Sequence, residues 1–577
     1  MPGSLGQPGK QGAEAAGHPG HPGRPAVGWI AVGAAGLVAA AGILLGAWPS
    51  PAASVKQAHE AGTARQAPET GTARQVPEAG AARATGTGAA VEWAGFAENA
   101  QHTALVSKPP QPLKRIRWRT KIDLAPVLVV KALLAHYASP MITAANTVLV
   151  PVRISAKAGF RVVAYSGATG ARRWSLDTDY RPPLISPPGY GGTIFTPPLP
   201  AALTPSTTLA VAGAGGTVLM RAHANRAAGA VQRRVFYGAA QWKAHRSVYD
   251  NAVRISTPLT AGPDGSVYFG FEVTGATPAH LSSGIARIDA SGHATWISAA
   301  AAAGHQVAGN RAVTGVAFSC APALSPDGQT VYITVTSPAG GILVGLNATT
   351  LRPRFRVTLK DPANGKPAVI SPTSSATPMV GPDGDVYYGV LANPETSHDG
   401  RGWLLHYNAT LTREKIPGSF GWDETVSVVP ARAVPSYHGP SSYLLVSKYD
   451  NYIIGSQGNG HNEVAVLDPG VSQKDPFSDV KTMKVVESVL SPDHEPGTPA
   501  GARYEWCINS AVVDSADDSV FVNSEEGMLY RWDLATNTLA EKIHLNAPRG
   551  ESYTPTMLGP DGTVYSINDG YLYAVGR

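Results

Sequence analysis

From residue 91 onward the chain alternates short apolar runs with turns rich in Pro, Gly, Asp and Asn, and no stretch keeps a helical period long enough to build a helical core. One unit recurs. It opens on Ser/Thr-Pro or a variant, runs about six residues, turns through Pro-Asp-Gly and continues as Val-Tyr into an apolar strand. Clean copies are TPLTAGPDGSVYFG at 257–270, APALSPDGQTVYI at 321–333, TPMVGPDGDVYYG at 377–389 and TPTMLGPDGTVYSI at 554–567. Proline presets φ, aspartate bonds the backbone ahead and glycine accepts φ > 0, so each copy predicts a β-hairpin. Weaker copies begin at Ser139, Thr196, Val426 and Ser510.

A second strand–turn–strand element follows, as in VVAYSGATGARRW at 162–174, GIARIDASGHATW at 284–296, ILVGLNATTLRPRF at 342–355, WLLHYNATLTREK at 403–415 and LYRWDLATNTLAEK at 529–542. Two hairpins make a four-stranded blade, and blades at a repeating interval make a propeller. Inner strands starting at Ser139, Thr196, Thr257, Ala321, Thr377, Val426, Ser510 and Thr554 predict eight antiparallel blades. The eighth runs out of chain at Arg577, before an outer strand. The lone strand LKRIRWRTKI at 113–122, with Trp118 at the outer-strand position, is predicted to supply it and so to close the ring. Its exposed cations, Lys114, Arg115, Arg117 and Arg119, read as protection of a sheet edge.

Composition agrees with this all-β reading. Gly 63 and Pro 48 give about one turn-former in five residues, and charged residues are only 15% of the chain, against about 25% in ordinary soluble proteins. A net charge of +5 over 577 residues is too small for a nucleic-acid binder. Two cysteines, Cys320 and Cys507, make neither a disulfide framework nor a four-thiolate zinc site. Each precedes an inner strand, and they fall in the fourth and seventh blades. They are either buried packing thiols, a disulfide across the channel, or, for Cys507, a reactive or metal-binding thiol.

The N-terminal ninety residues differ in kind. Residues 1–25 are rich in Gly, Pro and His and predict a disordered tail. Residues 26–48 carry no charge, and as a helix would be about 35 Å long, enough to cross a bilayer core of about 30 Å. They predict a single-pass anchor with the N-terminus cytoplasmic and the propeller extracytoplasmic. Cleavage in the small residues after Pro49, giving a secreted or periplasmic protein, is the alternative. Residues 49–90, with the imperfect repeat EAGTARQAP, ETGTARQVP, EAGAARATG, predict a flexible linker.

Ala164, Thr169, Gly170 and Trp174 in the first blade, and Ala286, Gly292 and Trp296 in the third, with Asp289 one place late, follow an Ala-x-Asp-x-x-Thr-Gly-x-x-x-Trp pattern. It resembles the tryptophan-docking repeat of pyrroloquinoline-quinone (PQQ) dehydrogenases and their PQQ-like propeller relatives. Later blades depart from it, with Phe355 or a non-aromatic residue in place of Trp. The opening EWAGFAENAQHTAL at 92–105 also resembles the start of PQQ-like outer-membrane assembly scaffolds. The resemblance implies an eight-bladed PQQ-like propeller over 91–577. For the dehydrogenases it further implies a quinone stacked between a tryptophan and two adjacent cysteines, a calcium ion and an aspartate base. The adjacent cysteines are missing here, and so is a Cys-x-x-Cys-His haem motif.

Loops leading into inner strands share one propeller face with loops joining second to third strands. On blades six to eight these carry Trp422, Asp423, Glu424, Asp450, Asn451, His461, Glu463, Glu505, Trp506, Cys507 and Glu551, a concentration of carboxylates in a charge-poor protein. They are the candidate ligand-binding residues, and Asp423, Glu505 and Glu551 are candidate calcium ligands. The plainer reading is that some are solvated loop charges and others bond exposed backbone groups. Asn347 and Asn408 open Asn-Ala-Thr sequons but occupy the repeat's own turn. No nucleophile elbow, phosphate loop or zinc-protease motif is present, so no catalytic residue is assigned. The expectation is a non-catalytic ligand- or protein-binding scaffold of the cell envelope, monomeric, touching the membrane through its N-terminal helix and binding an envelope protein or a small ligand. A PQQ- and calcium-dependent dehydrogenase with atypical cofactor contacts is the alternative.

Overall fold

Eight antiparallel sheets follow one another around a central channel. Their inner strands are Met141–Thr143, Ala201–Leu203, Thr260–Ala261, Ala323–Leu324, Met379–Val380, Ser427–Pro430, Val512–Asp514 and Met557–Leu558, each where the repeat placed it. The structure, a computed structural model, describes residues 91–577 except 127, 130–131, 134, 156–158, 184–197, 309, 372–373, 396–399, 421–422, 453–457, 500, 507, 509 and 548–554. The predicted anchor and linker lie outside the described residues, among which no helix is long and apolar enough to cross a membrane.

Ring closure is as expected. Strand Arg115–Lys121 pairs antiparallel with Tyr571–Gly576, so the eighth blade takes its outer strand from the other end of the domain. The Trp118 indole then donates to the Gly167 carbonyl of blade one at 2.8 Å. It lies so close over the turn that a Cβ on Gly170 would sit 2.6 Å from Trp118 Cγ, and Gly170 has φ +70°. Trp174 repeats the contact one blade on, donating to the Ala224 carbonyl at 2.9 Å beneath a stacked Arg221. Where the third blade's turn presents Gly292, blade two offers the guanidinium of Arg234 instead of an indole.

A second inter-blade tie was not read from the sequence. In blades three, four and five the tyrosine of the Val-Tyr pair reaches sideways out of its own sheet. Tyr268 donates to Ala348 O in blade four at 3.0 Å, Tyr332 to Ala409 O in blade five at 2.7 Å, and Tyr387 meets the Tyr443 hydroxyl of blade six at 2.7 Å. The hydrophobic cores accordingly form between adjacent blades, as in the cluster of Tyr268, Tyr332, Ile333, Tyr388 and Trp403. The Asn-Ala-Thr turns are structural. Asn347 Oδ1 accepts from the Thr349 and Thr350 amides, and Asn408 Oδ1 from those of Thr412 and Arg413.

Two features depart from the repeat. Blade five's outer strand shrinks to Gly418–Ser419, because the predicted strand is taken up by the Asn408 turn and stopped at Pro417. The connection from blade two to blade three folds into two short helices, Ala239–Ala244 and Arg246–Ala252, each too short to show a helical period.

The structure makes the docking contacts measurable. Trp118→Ala should lower unfolding free energy by about 3 kcal/mol. Tyr332→Phe, which removes one buried hydrogen bond, should cost about 1 kcal/mol. Urea denaturation midpoints would check both, and a larger effect for tyrosine than for tryptophan would reverse the ranking of the two ties.

Candidate functional site

The channel does not run empty through the ring. Residues 93–106 wind around its inside and meet the blades in order. The Trp93 indole donates to Ser139 Oγ in blade one at 3.0 Å. Backbone amides from one equivalent inner-strand position then donate to the segment: Leu203 to Ala94 O, Leu324 to Ala100 O, Val380 to Gln101 O, Val428 to Thr103 O and Val513 to Ala104 O, all within 2.7–2.9 Å. Leu105–Val106 adds itself to blade seven as a parallel strand. Such curvature puts Ala97, Glu98, His102 and Ala104 at positive φ, a conformation that L-residues hold only when surrounding contacts impose it.

His102 spans the channel. Burial pushes its ring down to about 4, so it is neutral. Nδ1–H donates to the Pro378 carbonyl at 2.8 Å, leaving Nε2 to accept from Thr260 Oγ1 at 3.5 Å. Phe96 packs edge-on against this ring at 5.4 Å and turns its other side to the leading face. There it joins Tyr137, Ser139, Leu199, Pro258, Ser319 and Ser375 in a pocket of about 430 Å³, open solvent included, contributed by the leading loops of blades one to five. No Lys, Arg, Asp or Glu is among the described residues that line it.

Charge lies behind the wall of blades five to seven. Ser375, a wall residue, donates its amide (2.5 Å) and hydroxyl (2.9 Å) to Asp423 Oδ1, while Oδ2 has no hydrogen-bond partner among the described residues. The adjoining Glu424 is 2% exposed, and the Ser447 hydroxyl and the Lys448 backbone beside it favour its ionised form. Burial pushes Glu424 up to about 8 against the attraction of the buried Lys448 ammonium. It likewise pushes Asp450 up to about 7, opposed by Lys448 and by the Trp506 amide, which donates to both Asp450 oxygens. Two carboxyls and one lysine thus share a buried site whose proton count changes near neutral pH.

The neighbouring candidates build the support of this site. Asn451 donates its amide to Asn462 Oδ1, Asn462 Nδ2 donates to Arg503 O, and the fully buried Trp506 donates its indole to the Asn462 carbonyl at 3.2 Å. Glu463 opens the third strand of blade six opposite Tyr449. Glu505 is 9% exposed and lies beneath Glu525, whose amide bonds its carbonyl. His461 is exposed. Trp422, Cys507 and Glu551 lie outside the described residues. Asp423, Glu424, Asp450 and Asn451 are buried and so are not solvated loop groups, while Asp423 and Asp450 bond backbone amides, those of Ser375 and Trp506, as the other half of the plainer reading expected. Of the site, sequence reasoning missed Phe96, His102, Ser375 and Lys448. The Trp-led opening at 92–105 was the one available sign of the first two.

Similarity to solved structures is one of fold. The quinohemoprotein alcohol dehydrogenase from Comamonas testosteroni is similar at TM-score 0.51 and 11% identity, covering 84% of this chain and 80% of that one. A europium-containing methanol dehydrogenase (TM-score 0.46, 11% identity, 82% and 89% covered) and BamB from Moraxella catarrhalis (0.41, 11%, 80% and 99%) also align. The chain is an eight-bladed β-propeller, and its likeness to the alcohol dehydrogenase is one of fold. No protein-family model and no curated protein matches it.

The described residues do not fit the dehydrogenases' quinone. A tricarboxylate would meet no Lys or Arg among the described lining residues, and His136 is the one basic side chain there. The adjacent-cysteine clamp is missing, and Cys320 is a free, buried thiol next to Tyr388. Among the described residues no three His, Cys, Asp or Glu side chains are grouped to hold a metal.

Two outcomes follow. A carboxyl whose folded pKa is raised binds more protons folded than unfolded, so its ionisation costs stability as pH climbs from about 4.5 through about 8. Glu424→Gln should be nearly neutral near pH 5 and stabilising near pH 9, by on the order of 1–3 kcal/mol, in denaturation curves at the two pH values. Burial pushes the Cys320 thiol up to about 12. Its peptide should therefore stay unalkylated by iodoacetamide at pH 8 in the native protein and react fully once unfolded, read by mass spectrometry.

Proposed function

We propose that this chain is a non-catalytic binding protein of the cell envelope, a PQQ-like propeller whose leading-face channel mouth receives an uncharged ligand group or an apolar loop of a protein partner. The observation that carries the reading is the mouth itself: a concave pocket assembled by five blades, floored by Phe96 and lined, among the described residues, by apolar and hydroxyl side chains and one imidazole, that of His136. The 93–106 segment blocks the channel beneath it, which suits capture at a surface better than passage through the ring. In this proposal residues 26–48 anchor the propeller outside the cytoplasmic membrane. Residues 49–90 give it a reach of about 30–35 Å as a flexible coil.

The dehydrogenase alternative draws on the row Asp423, Glu424, Asp450, Asn451, Glu463 and Glu505 across blades six and seven. In that case calcium would take oxygen ligands from Asp423, Glu505 and Glu551. Titrating PQQ into the full-length protein with calcium, and following tryptophan fluorescence, separates the readings. The binding-protein reading expects no saturable quenching at millimolar calcium. Saturable micromolar quenching lost on Glu505→Ala would overturn it in favour of the enzyme.

A further inference from the structure

Charge is spread unevenly around the ring. Residues 113–254, which build the outer strand of blade eight, blades one and two and the two short helices, hold 19 of the chain's 46 Lys and Arg but only four of its 41 Asp and Glu. All four acids are engaged. Asp123 faces Arg153 at 3.5 Å, Asp177 faces Arg161 at 2.9 Å, Asp179 faces Arg233 at 2.9 Å and Asp250 faces Arg246 at 3.2 Å. The sector therefore keeps a surplus of cations in a protein whose net charge is only +5.

Part of this surplus gathers at one end of the sector. Opposite the leading face, each blade ends in the turns of its two hairpins. Arg115 pairs with Gly576 at that end of blade eight, with Lys114 beside it. Arg172 and Arg173 follow the turn into blade one's outer strand, and Arg226 lies in the matching turn of blade two. All five are exposed and none forms an ion pair among the described residues; Arg172 and Arg173 donate to the Ser175 and Thr147 hydroxyls. The three blades interlock here, since Trp118 reaches the Gly167 carbonyl and Trp174 the Ala224 carbonyl, so their cations share one surface.

The repeat explains why nothing balances them. In blades three, four, five and eight the first turn is Pro-Asp-Gly, which puts Asp264, Asp327, Asp383 and Asp561 on this same face. The matching turns of blades one and two, residues 144–146 and 205–207, read Ala-Ala-Asn and Pro-Ser-Thr. The two aspartates that flank the sector, Asp561 and Asp264, are held by Arg117 at 3.3 Å and by Arg287 at 3.1 Å. Protection of a sheet edge does not require the cations, because blade three's outer strand, Ala294–Ser298, carries none.

The described chain also enters the ring at this point. Val91 pairs with Thr143 beside the 144–146 turn of blade one, with the cations of blade eight on one side and those of blade two on the other. The ninety residues before it hold the proposed anchor and linker, so a tether from a bilayer arrives in the middle of the basic surface. Unpaired cations around a membrane tether match anionic phospholipid, which attracts each Lys or Arg brought near it, and the tether keeps the two surfaces at high effective concentration.

We infer that the basic face of blades eight, one and two docks on an anionic phospholipid bilayer, laying the propeller against the membrane that tethers it. The inference rests on the proposed anchor at residues 26–48, and the test separates the two.

The full-length protein is reconstituted into vesicles of phosphatidylcholine alone or with about one-third phosphatidylglycerol, and lysine acetylation by a water-soluble N-hydroxysuccinimide ester is followed by mass spectrometry. Lys114 should react about tenfold more slowly on the phosphatidylglycerol bilayer, and high salt should abolish the difference. The exposed Lys243, on the short helix beyond the far end of blade two's outer strand, should react equally on both. Arg172→Gln combined with Arg226→Gln should remove most of the protection of Lys114. Equal acetylation of Lys114 on the two bilayers, or equal slowing of Lys243, would overturn the docking and leave the anchor standing. Flotation with phosphatidylcholine vesicles at high salt reports the anchor alone. If that fails, flotation with phosphatidylglycerol vesicles at low salt only would uphold the basic face without the anchor, and flotation with neither would overturn both.

Discussion

The structure depends on how the innermost backbone of each blade is satisfied. An inner strand in a propeller has a neighbour on one side only, and on the other its amides face the channel. Here one register position supplies Leu203, Leu324, Val380, Val428 and Val513, and each donates to a carbonyl of the 93–106 segment. A buried amide without a partner would cost about 1–3 kcal/mol, so a segment that serves five blades holds the ring together from within. The positive φ of four of its non-glycine residues is the local cost of bending through so tight a turn.

That arrangement shapes the functional face. With the segment in the channel, Phe96 becomes a floor and the leading loops become walls, so the ring presents a pocket in place of a pore. The same loops carry the protein's scarce charge, and they divide it by depth. Glu424, Lys448 and Asp450 are buried together beside the mouth, while Asp493 and its neighbours stand at the outer rim of blades six and seven. The inner group has its own cation, since Lys448 attracts both Glu424 and Asp450.

Most of the architecture was legible because each blade is specified locally. Pro-Asp-Gly sets a hairpin whatever lies beside it, and Asn347 and Asn408 close their turns with bonds to residues two to five positions on. Even ring closure was readable, since an eighth blade lacking an outer strand and a spare strand bearing Trp118 at the other end imply each other. The short helices at 239–252 and the stub at Gly418–Ser419 escaped because neither is long enough for its period to register. For the site, the leading-face residues of blades six and seven were identified, but their burial was not. A carboxylate in a loop looks solvated until its neighbours are known.

By itself, then, the sequence determined the repeat, the number of blades, their order and the strand that closes them, because these follow from turn chemistry and apolar alternation over a dozen residues at a time. Tertiary structure decided what those blades enclose. Only the closed ring brings His102 to Pro378 and Ser375 to Asp423, and only the folded sheet of blade six sets Lys448 beside Glu424. These contacts join different loops and blades, and their energetics rest on desolvation, which no residue experiences until the channel around it has formed.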